Sequence, residues 1–231
     1  KNLNEKRLVG ENAVEFIKDG MVVGLGTGST VYYTIMKIGQ LVKEGLSIQG
    51  IPTSIQTAEL ATKLGISLAS FQEIGEIDVA IDGADEVDSN LDLIKGGGGA
   101  LLREKIIAKA AKKFIVVATP SKMVKKLGSF HLPVEVVPFG AKWTEKHLKE
   151  IGLEPSLRQL KGTPYQTDNG NYIFDCVFSE ISQPHELEAK LNTIPGVVEN
   201  GLFVGMTDLV ISLDRNNQPV FIKRGESKWK E

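Results

Sequence analysis

Short apolar runs alternate with longer amphipathic stretches over roughly the first 130 residues of the chain. The apolar runs predict strands at 21–25, 47–51, 77–81 and 114–118. The stretches around them predict helices at 3–18, 30–44, 54–64 and 101–112. This alternation indicates parallel βαβ units in one sheet with helices on both faces. Ligands bind beyond the carboxyl ends of such strands, so the loops after residues 25, 81 and 118 are the first candidates for chemistry.

The pattern changes from about residue 131, where strands and helices follow in a different order. Strands are predicted at 134–137, 157–160, 172–178 and 197–204, with helices at 142–151 and 184–192. The order β-α-β-β-α-β is that of a ferredoxin-like unit. Two further strands, 209–213 and 219–223, are expected to return to the first sheet.

The sequence therefore predicts an α/β fold with two parts. Residues 1–130 and 205–231 form a main domain with a Rossmann-like, mostly parallel sheet. Residues 131–204 form a smaller inserted α+β domain of ferredoxin-like type.

Composition narrows the class of partner. A net charge of −2 over 231 residues gives no general argument for binding nucleic acid or an anionic membrane. No apolar stretch reaches 18 residues, and the single cysteine, Cys176, has no intrachain partner for a disulfide. We expect a cytoplasmic protein that binds neither nucleic acid nor membranes.

The loop after the first strand reads Gly-Leu-Gly-Thr-Gly-Ser-Thr at 24–30 and opens a helix. Helix N-terminal N–H groups together with hydroxyl groups make an anion site. The lysine of a phosphate-binding P-loop is missing, and the glycine spacing is wrong for a dinucleotide. A small phosphorylated or carboxylated ligand is favoured, while a Ser/Thr-capped helix start with no ligand remains the alternative.

The loop after the third strand, 82–88, reads Asp-Gly-Ala-Asp-Glu-Val-Asp and holds four carboxylates. Crowded carboxylates are costly unless cations or hydroxyl groups meet them. A solvated acidic turn and a divalent-metal site are both possible interpretations, although calcium-loop spacing is absent and no histidine lies nearby. Sugar hydroxyls match the Asp pair better.

Four consecutive glycines, 96–99, lie between Lys95 and Glu104. Glycine lets backbone N–H groups approach a ligand closely, so the run suits an anion that develops charge beside a base. A flexible connector is the alternative. At 100° per residue, Glu104 lies about 160° from the centre of a stripe formed by Leu102, Ile106, Lys109 and Ala110. Ile107 and Ala111 widen the apolar arc towards Glu104, so periodicity leaves the burial of that carboxyl group open.

The three motifs together, in this order and spacing, resemble the type A ribose-5-phosphate isomerases. The resemblance extends along the chain and includes 50–54, 132–136, 167–171 and 195–203. It implies an enzyme that interconverts ribose 5-phosphate and ribulose 5-phosphate in the non-oxidative pentose phosphate pathway. It also implies no metal or organic cofactor, and a homodimer or homotetramer.

Residue by residue, the resemblance implies that Glu104 is the catalytic base and that Asp82, Asp85 and Lys95 are the other catalytic residues. The matching substrate-binding positions are Lys6, Thr27, Gly28, Ser29, Thr30, Gly83, Ala84, Gly96, Gly97, Gly98 and Lys122.

The chemistry suits these residue types. One base must move a proton between neighbouring carbons, and burial and nearby acids can raise a glutamate pKa towards neutrality for that task. Lys95 and the glycine N–H groups would stabilise an enediolate, and either Asp82 or Asp85 would assist ring opening. Rival interpretations are a ring-opening deaminase, which would be expected to use a histidine, an acyl or CoA transferase, and a sugar-phosphate sensor without catalysis.

Overall fold

The computed structural model describes residues 2–178 and 180–226. The strands of this part of the chain are β1 Val22–Leu25, β2 Gln49–Pro52, β3 Val79–Gly83, β4 Glu86–Val87, β5 Leu93–Ile94, β6 Phe114–Val117, β7 Leu132–Val136, β8 Glu154–Leu157, β9 Gln159–Leu160, β10 Thr163–Pro164, β11 Tyr172–Val177, β12 Val197–Asn200, β13 Leu202–Phe203, β14 Leu209–Leu213 and β15 Pro219–Lys223. The α-helices are α1 Asn2–Asn12, α2 Val31–Lys43, α3 Ile55–Lys63, α4 Leu101–Ala110, α5 Ala141–Glu150 and α6 Pro184–Leu191, with 3-10 turns at Ala13–Phe16 and Pro120–Lys122.

The central sheet has six strands in the order β15-β14-β6-β3-β1-β2. All neighbouring pairs are parallel except β14 and β15. The predicted α/β class and mostly parallel sheet are thus confirmed. The chain leaves β1 towards β2 on one side and returns to β3 on the other, so the crevice between β1 and β3 is the switch point of the sheet. The loops after these two strands, 26–30 and 84–88, meet at that crevice.

Alternate side chains of the strands build a core on each face of the central sheet. Ile115 and Val117 of β6 pack in the core that contains Val9 of α1, Ile35 of α2 and Ala61 of α3. The intervening residues Phe114 and Val116 pack in the opposite core, with Ile107 and Ala108 of α4. This period-two alternation fits a sheet covered on both faces. It places α4 directly behind the switch point.

A small antiparallel sheet of three strands, β13-β5-β4, lies on the face of the central sheet that α4 covers. The sequence did not predict this sheet. The predicted single strand 197–204 is wrong, because the chain changes sheets at Gly201. β12 pairs with β7, whereas β13 pairs with β5. Gly201 accepts from the Lys95 N–H at 2.8 Å, and a Cβ at Gly201 would lie 2.2 Å from the Lys95 carbonyl oxygen. Only glycine allows the two segments to approach this closely.

The second sheet is antiparallel in the order β12-β7-β11-β8, with the helices α5 and α6 in its connections. This order gives the predicted ferredoxin-like unit. The predicted strand 157–160 is instead divided at Arg158, because β9 turns away to pair with β10. The predicted boundaries between the main domain and the inserted domain, at residues 131 and 204, stay a prediction. Within the described residues, no helix is both long and apolar enough to cross a membrane.

We expect Gly24→Ala to destabilise the fold, because a Cβ there would lie 2.5 Å from Ile107 Cγ2 and 2.9 Å from Ala80 Cβ. Overpacking of this kind costs about 1–3 kcal/mol of unfolding free energy. Gly75→Ala is the matched control, since a Cβ there meets nothing within 4 Å. Urea unfolding of both variants measures the difference. Equal stability would show that the contact between β1 and α4 is loose.

Candidate active site

The first loop folds directly over Asp82 at the end of β3. Gly26 donates its N–H to the Ile81 carbonyl at 2.9 Å, and Thr27 donates its N–H to Asp82 Oδ1 at 3.1 Å. A Cβ at Gly26 would lie 2.2 Å from that same Oδ1. Glycine at position 26 is therefore what lets the loop cover the Asp82 carboxyl group.

The Thr27 hydroxyl lies in a cluster of hydroxyl groups at the start of α3. It is 2.7 Å from the hydroxyls of Thr53 and Ser54 and 3.1 Å from that of Thr57. Ser54 also caps α3 by accepting from the Thr57 N–H at 3.0 Å. The Thr27 side chain thus fixes the loop to the start of α3.

The next two residues of this loop, Gly28 and Ser29, are exposed. They border a groove of ≈ 630 Å³ that also includes Tyr32, Tyr33 and Lys63. Of the predicted contacts in this loop, these two are the most accessible to a ligand.

Lys95 follows β5 and carries a buried ammonium group. Its Nζ lies 3.2 Å from Asp82 Oδ2 and 3.4 Å from Glu104 Oε1, and it donates to the Gly83 carbonyl. A lysine ammonium has three donors, and these three acceptors surround it. The structure thus brings the predicted residues Asp82, Lys95 and Glu104 into direct contact.

Two buried carboxyl groups compete for this one cation. Burial, followed by the negative charge of Asp82, raises the pKa of Glu104 well above its usual range, and Lys95 only partly opposes this. Burial also raises the pKa of Asp82, against Lys95 and the Gly83 N–H. The negative charge of Asp82 therefore makes a proton on Glu104 less costly than it would be in water.

The Lys95 ammonium stays charged in this setting. Burial lowers the pKa of Lys95, but the charges of Asp82, Glu104 and Asp85 outweigh burial and raise it overall. Charge balance therefore leaves at most one of the two buried carboxylates without a compensating cation.

Glu104 lies on the buried face of α4, which settles the question that periodicity left open. That face holds Leu101, Glu104, Lys105 and Ala108, whereas Ile106 on the apolar stripe is 48% exposed. The apolar stripe did not identify the buried face, because α4 buries the charged side chains of Glu104 and Lys105, which have polar partners. One oxygen of the Glu104 carboxyl, Oε2, is buried and has no hydrogen-bond partner among the described residues. A buried acceptor without a partner is costly, so this atom requires a specific explanation.

Lys105, the residue after Glu104, anchors α4 to the second sheet. Its Nζ donates to Glu199 Oε1 and to the Asn200 carbonyl, both at 2.7 Å. The ring of Phe203 lies beneath both lysines, with its centroid 4.9 Å from Lys105 Nζ and 5.5 Å from Lys95 Nζ. The sequence did not predict that Lys105 anchors α4 or that Phe203 lies beneath the two lysines. The residues that Lys105 contacts, Glu199 and Asn200, follow it by more than 90 residues in the chain.

The glycine run lies beside Asp85, which is half-buried. The Gly97 N–H donates to Asp85 Oδ2 at 2.8 Å. Gly97 and Gly98 are exposed, whereas Gly99 packs against the Tyr165 hydroxyl, which a Cβ at Gly99 would approach to 2.2 Å. The run is therefore a fixed backbone wall beside Asp85.

The other two acids of the 82–88 loop have structural partners. Glu86 accepts from the N–H groups of Gly128 at 2.8 Å and Phe130 at 2.6 Å. Asp88 Oδ1 accepts from the N–H groups of Asn90 and Asp92 within its own turn. No group of three His, Cys, Asp or Glu residues within residues 2–178 and 180–226 is arranged to hold a metal ion.

The remaining predicted residues lie around this centre. Gly83 and Ala84 continue from Asp82 and are half-buried. Lys122 Nζ lies 5.9 Å from the ring centroid of Phe130, whose Cζ would be 3.0 Å from a Cβ at Gly97. Lys122 thus approaches the glycine run from the loop after β6.

Lys6 is half-buried on α1, one turn before Gly10. Gly10 packs against the loop, because a Cβ there would lie 2.6 Å from the Thr30 carbonyl oxygen. Residues four apart share a helix face, so Lys6 lies on the side of α1 that faces this loop.

Comparison with known proteins decides the family. A family model described as ribose 5-phosphate isomerase A (phosphoriboisomerase A) matches residues 49–216. A curated relative, ribose-5-phosphate isomerase A of Bacillus mycoides strain KBAB4, is 51% identical over 215 residues, which cover 93% of this chain and 97% of the relative. The chain belongs to the ribose 5-phosphate isomerase A family.

Solved structures of ribose 5-phosphate isomerases agree with this chain over almost its full length. The enzyme of Methanocaldococcus jannaschii superposes with a TM-score of 0.91 at 42% identity, covering 96% of this chain and 100% of that one. A D-ribose-5-phosphate isomerase in complex with phospho-erythronic acid superposes with a TM-score of 0.92 at 43% identity, covering 96% and 98%. The predicted family and the isomerase class are confirmed.

The raised pKa of Glu104 predicts a pH-dependent cost to folding. A raised pKa in the folded state contributes stability below the ordinary value of 4.5, and this contribution is lost as pH rises through the raised pKa. We expect the unfolding free energy of the wild-type protein to fall relative to Glu104→Gln across that interval, by up to about 1.4 kcal/mol per pH unit. Urea unfolding of both proteins from about pH 4.5 upward measures it. A difference that does not change with pH would contradict the raised pKa.

Proposed function

We propose that this protein interconverts D-ribose 5-phosphate and D-ribulose 5-phosphate through an enediolate, with Glu104 as the general base. The observation that carries the proposal is the buried group of Asp82, Lys95 and Glu104, in which Glu104 has a raised pKa and an oxygen without a partner. Membership of the ribose 5-phosphate isomerase A family supports the same substrate pair.

The proposed reaction moves one carbon-bound proton between neighbouring carbons. Glu104 takes the proton from C2 of the open-chain aldose, and the C1 carbonyl becomes the oxyanion of the enediolate. Glu104 then returns the proton to C1, while the hydroxyl proton on O2 passes to O1, so the product is the 2-ketose. A base works best when its pKa lies near the working pH, and the burial of Glu104 raises its pKa in that direction.

The N–H groups of the glycine run are the proposed donors to the enediolate oxygens. Lys95 already has three acceptors around its ammonium group, so we assign it the role of orienting and charge-balancing Asp82 and Glu104. Gly97 and Gly98 are exposed beside Asp85 and have no side chain to block a sugar.

Asp85 is the proposed group that assists ring opening. Asp82 is buried under the first loop and contacts Lys95, Thr27 and Gly83. Asp85 is half-buried and accepts only from the Gly97 N–H in the described structure, which leaves it accessible to a hydroxyl group of the cyclic sugar. Ring opening exposes the carbonyl that the isomerisation needs.

The phosphate is proposed to bind at the start of α2. Gly28 and Ser29 are exposed there, at a helix N-terminus where the backbone favours an anion. Lys6, on the side of α1 that faces this loop, is proposed to supply positive charge, and Lys122 is proposed to contribute from the loop after β6. The solved relative in complex with phospho-erythronic acid, a phosphorylated sugar acid, supports a ligand of this class.

Three further expectations accompany this proposal: a homodimer or homotetramer, a cytoplasmic location, and activity without a metal or organic cofactor. Sedimentation velocity tests the first. An assay of ribose 5-phosphate conversion in the presence of EDTA tests the last, since loss of turnover with EDTA would contradict it.

We expect Glu104→Gln to lower kcat for ribose 5-phosphate by at least about 100-fold, because a general base contributes that much or more. A coupled ketose assay measures the rate, and circular dichroism checks the fold. Turnover above about a tenth of the wild-type rate would remove Glu104 as the base.

Glu188→Gln is the matched control for this experiment. Burial also raises the pKa of Glu188, which lies 3.6 Å from the ammonium of the largely buried Lys105, but it lies on α6. We expect its kcat to stay within about threefold of wild type. A loss of kcat as large as that of the Glu104 variant would mean that neutralising any carboxyl group near α4 abolishes turnover, and that the effect is not specific to Glu104.

A further inference from the structure

Arg158 joins the second sheet to the glycine run. Its Nε and Nη2 donate to both oxygens of Asp175 on β11, at 2.9 and 2.6 Å. Its remaining nitrogen, Nη1, donates to the carbonyls of Gly96 at 3.1 Å and Gly97 at 3.2 Å. The side chains of Arg158 and Asp175 are only 16% and 22% exposed. The pair thus holds two consecutive carbonyl groups of the run in fixed directions.

The direction of the carbonyls fixes the direction of the N–H groups. In a trans peptide the C=O and the following N–H point to opposite sides. The Gly96 carbonyl faces Arg158, and the Gly97 N–H of the same peptide meets Asp85 on the other side, at 2.8 Å. By the same geometry, the Gly98 N–H points away from Arg158.

The Gly98 N–H donates to no described residue. A Cβ at Gly98 would lie 3.8 Å from Thr27 Cγ2, so this glycine borders the first loop. Neighbouring N–H groups that face one side form a concave site for an anion. The run therefore offers a free donor next to Asp85, within the site described above.

We infer that Arg158, held by Asp175, is a positioning residue that aims the Gly98 N–H at the enediolate oxygen. This inference rests on the proposed isomerase function and adds to it a residue from the second sheet that touches no reacting atom. Tyr165 supports the same arrangement, because its ring lies 5.7 Å from the Arg158 guanidinium carbon and its hydroxyl packs on Gly99. An arginine is needed at this position, because its planar guanidinium group can donate to a carboxylate and to two carbonyls at once. The ammonium group of a lysine has no such planar set of donors.

The main test is Arg158→Ala in the full chain, with kcat and KM measured separately for ribose 5-phosphate. A donor aimed at charge that exists only in the transition state affects kcat rather than KM. Removing such a donor outright costs about 100- to 1,000-fold in kcat. Loosening it should cost about 10- to 100-fold, with KM within about threefold of wild type.

Two readouts separate positioning from a purely structural role. With ribose 5-phosphate deuterated at C2, the isotope effect on kcat should rise to its full value in Arg158→Ala, because proton transfer becomes rate-limiting. A cleft of ≈ 370 Å³ reaches Arg158 and Gly97, so millimolar guanidinium should enter the vacated position and restore part of kcat. An isotope effect equal to that of the wild type would contradict the inference.

Arg224→Ala is the matched control. Arg224 also donates to two backbone carbonyls, those of Thr207 at 2.9 Å and Leu91 at 3.3 Å, and lies 3.8 Å from Asp92. We expect Arg224→Ala to lose about as much thermal stability as Arg158→Ala, but to keep kcat within about threefold of wild type. An equal loss of kcat in both variants would overturn the inference.

Arg158→Lys and Asp175→Asn keep the test valid if Arg158→Ala does not fold. Both should show kcat between those of wild type and Arg158→Ala, and wild-type kcat in folded Arg158→Lys and Asp175→Asn would overturn the inference. The wild-type protein is assayed alongside. Absence of turnover in the wild type would reject the proposed function itself, whereas normal turnover in wild type and Arg158→Ala alike would reject only the role of Arg158.

Discussion

One buried ammonium group, that of Lys95, has to serve two buried carboxyl groups. Without it, neither Asp82 nor Glu104 could carry a negative charge here at low cost, since an isolated buried charge is strongly unfavourable. A single cation cannot neutralise both carboxylates, so burial and the negative charge of Asp82 raise the pKa of Glu104 and make it less costly for Glu104 to take up a proton. The raised pKa of the proposed base thus follows first from burial and then from the negative charge of Asp82.

Holding these three groups together demands unusually close approach of the backbone. Asp82 comes from the end of β3, Lys95 from the end of β5, and Glu104 from the first turn of α4. The first loop covers Asp82 only because Gly26 has no Cβ, and Gly201 meets the backbone of Lys95 for the same reason. The glycines of this protein therefore work at contacts between segments as well as in turns.

Those features also explain what the sequence could and could not predict. The parallel sheet and its loops follow from local periodicity, because strands buried on both faces need short apolar runs. The burial of Glu104 and Lys105 did not follow, since apolar periodicity ranks residues by their transfer from water and ignores polar partners. Those partners, such as Glu199 for Lys105, are distant in sequence. The division of the predicted strand at Gly201 was missed for the same reason, because it depends on the position of Lys95.

The second sheet closes the site from the side that the central sheet leaves open. Lys105 ties α4 to Glu199 and Asn200, Gly201 receives the Lys95 N–H, and Arg158 holds the glycine run. A cluster with one cation and two carboxyl groups can keep a raised pKa only while water is excluded, because water would stabilise the second carboxylate. Asp85 is half-buried and Gly97 and Gly98 are exposed, so these residues border one open side of the cluster. In the proposed reaction, a sugar that enters there would meet the backbone donors of the glycine run.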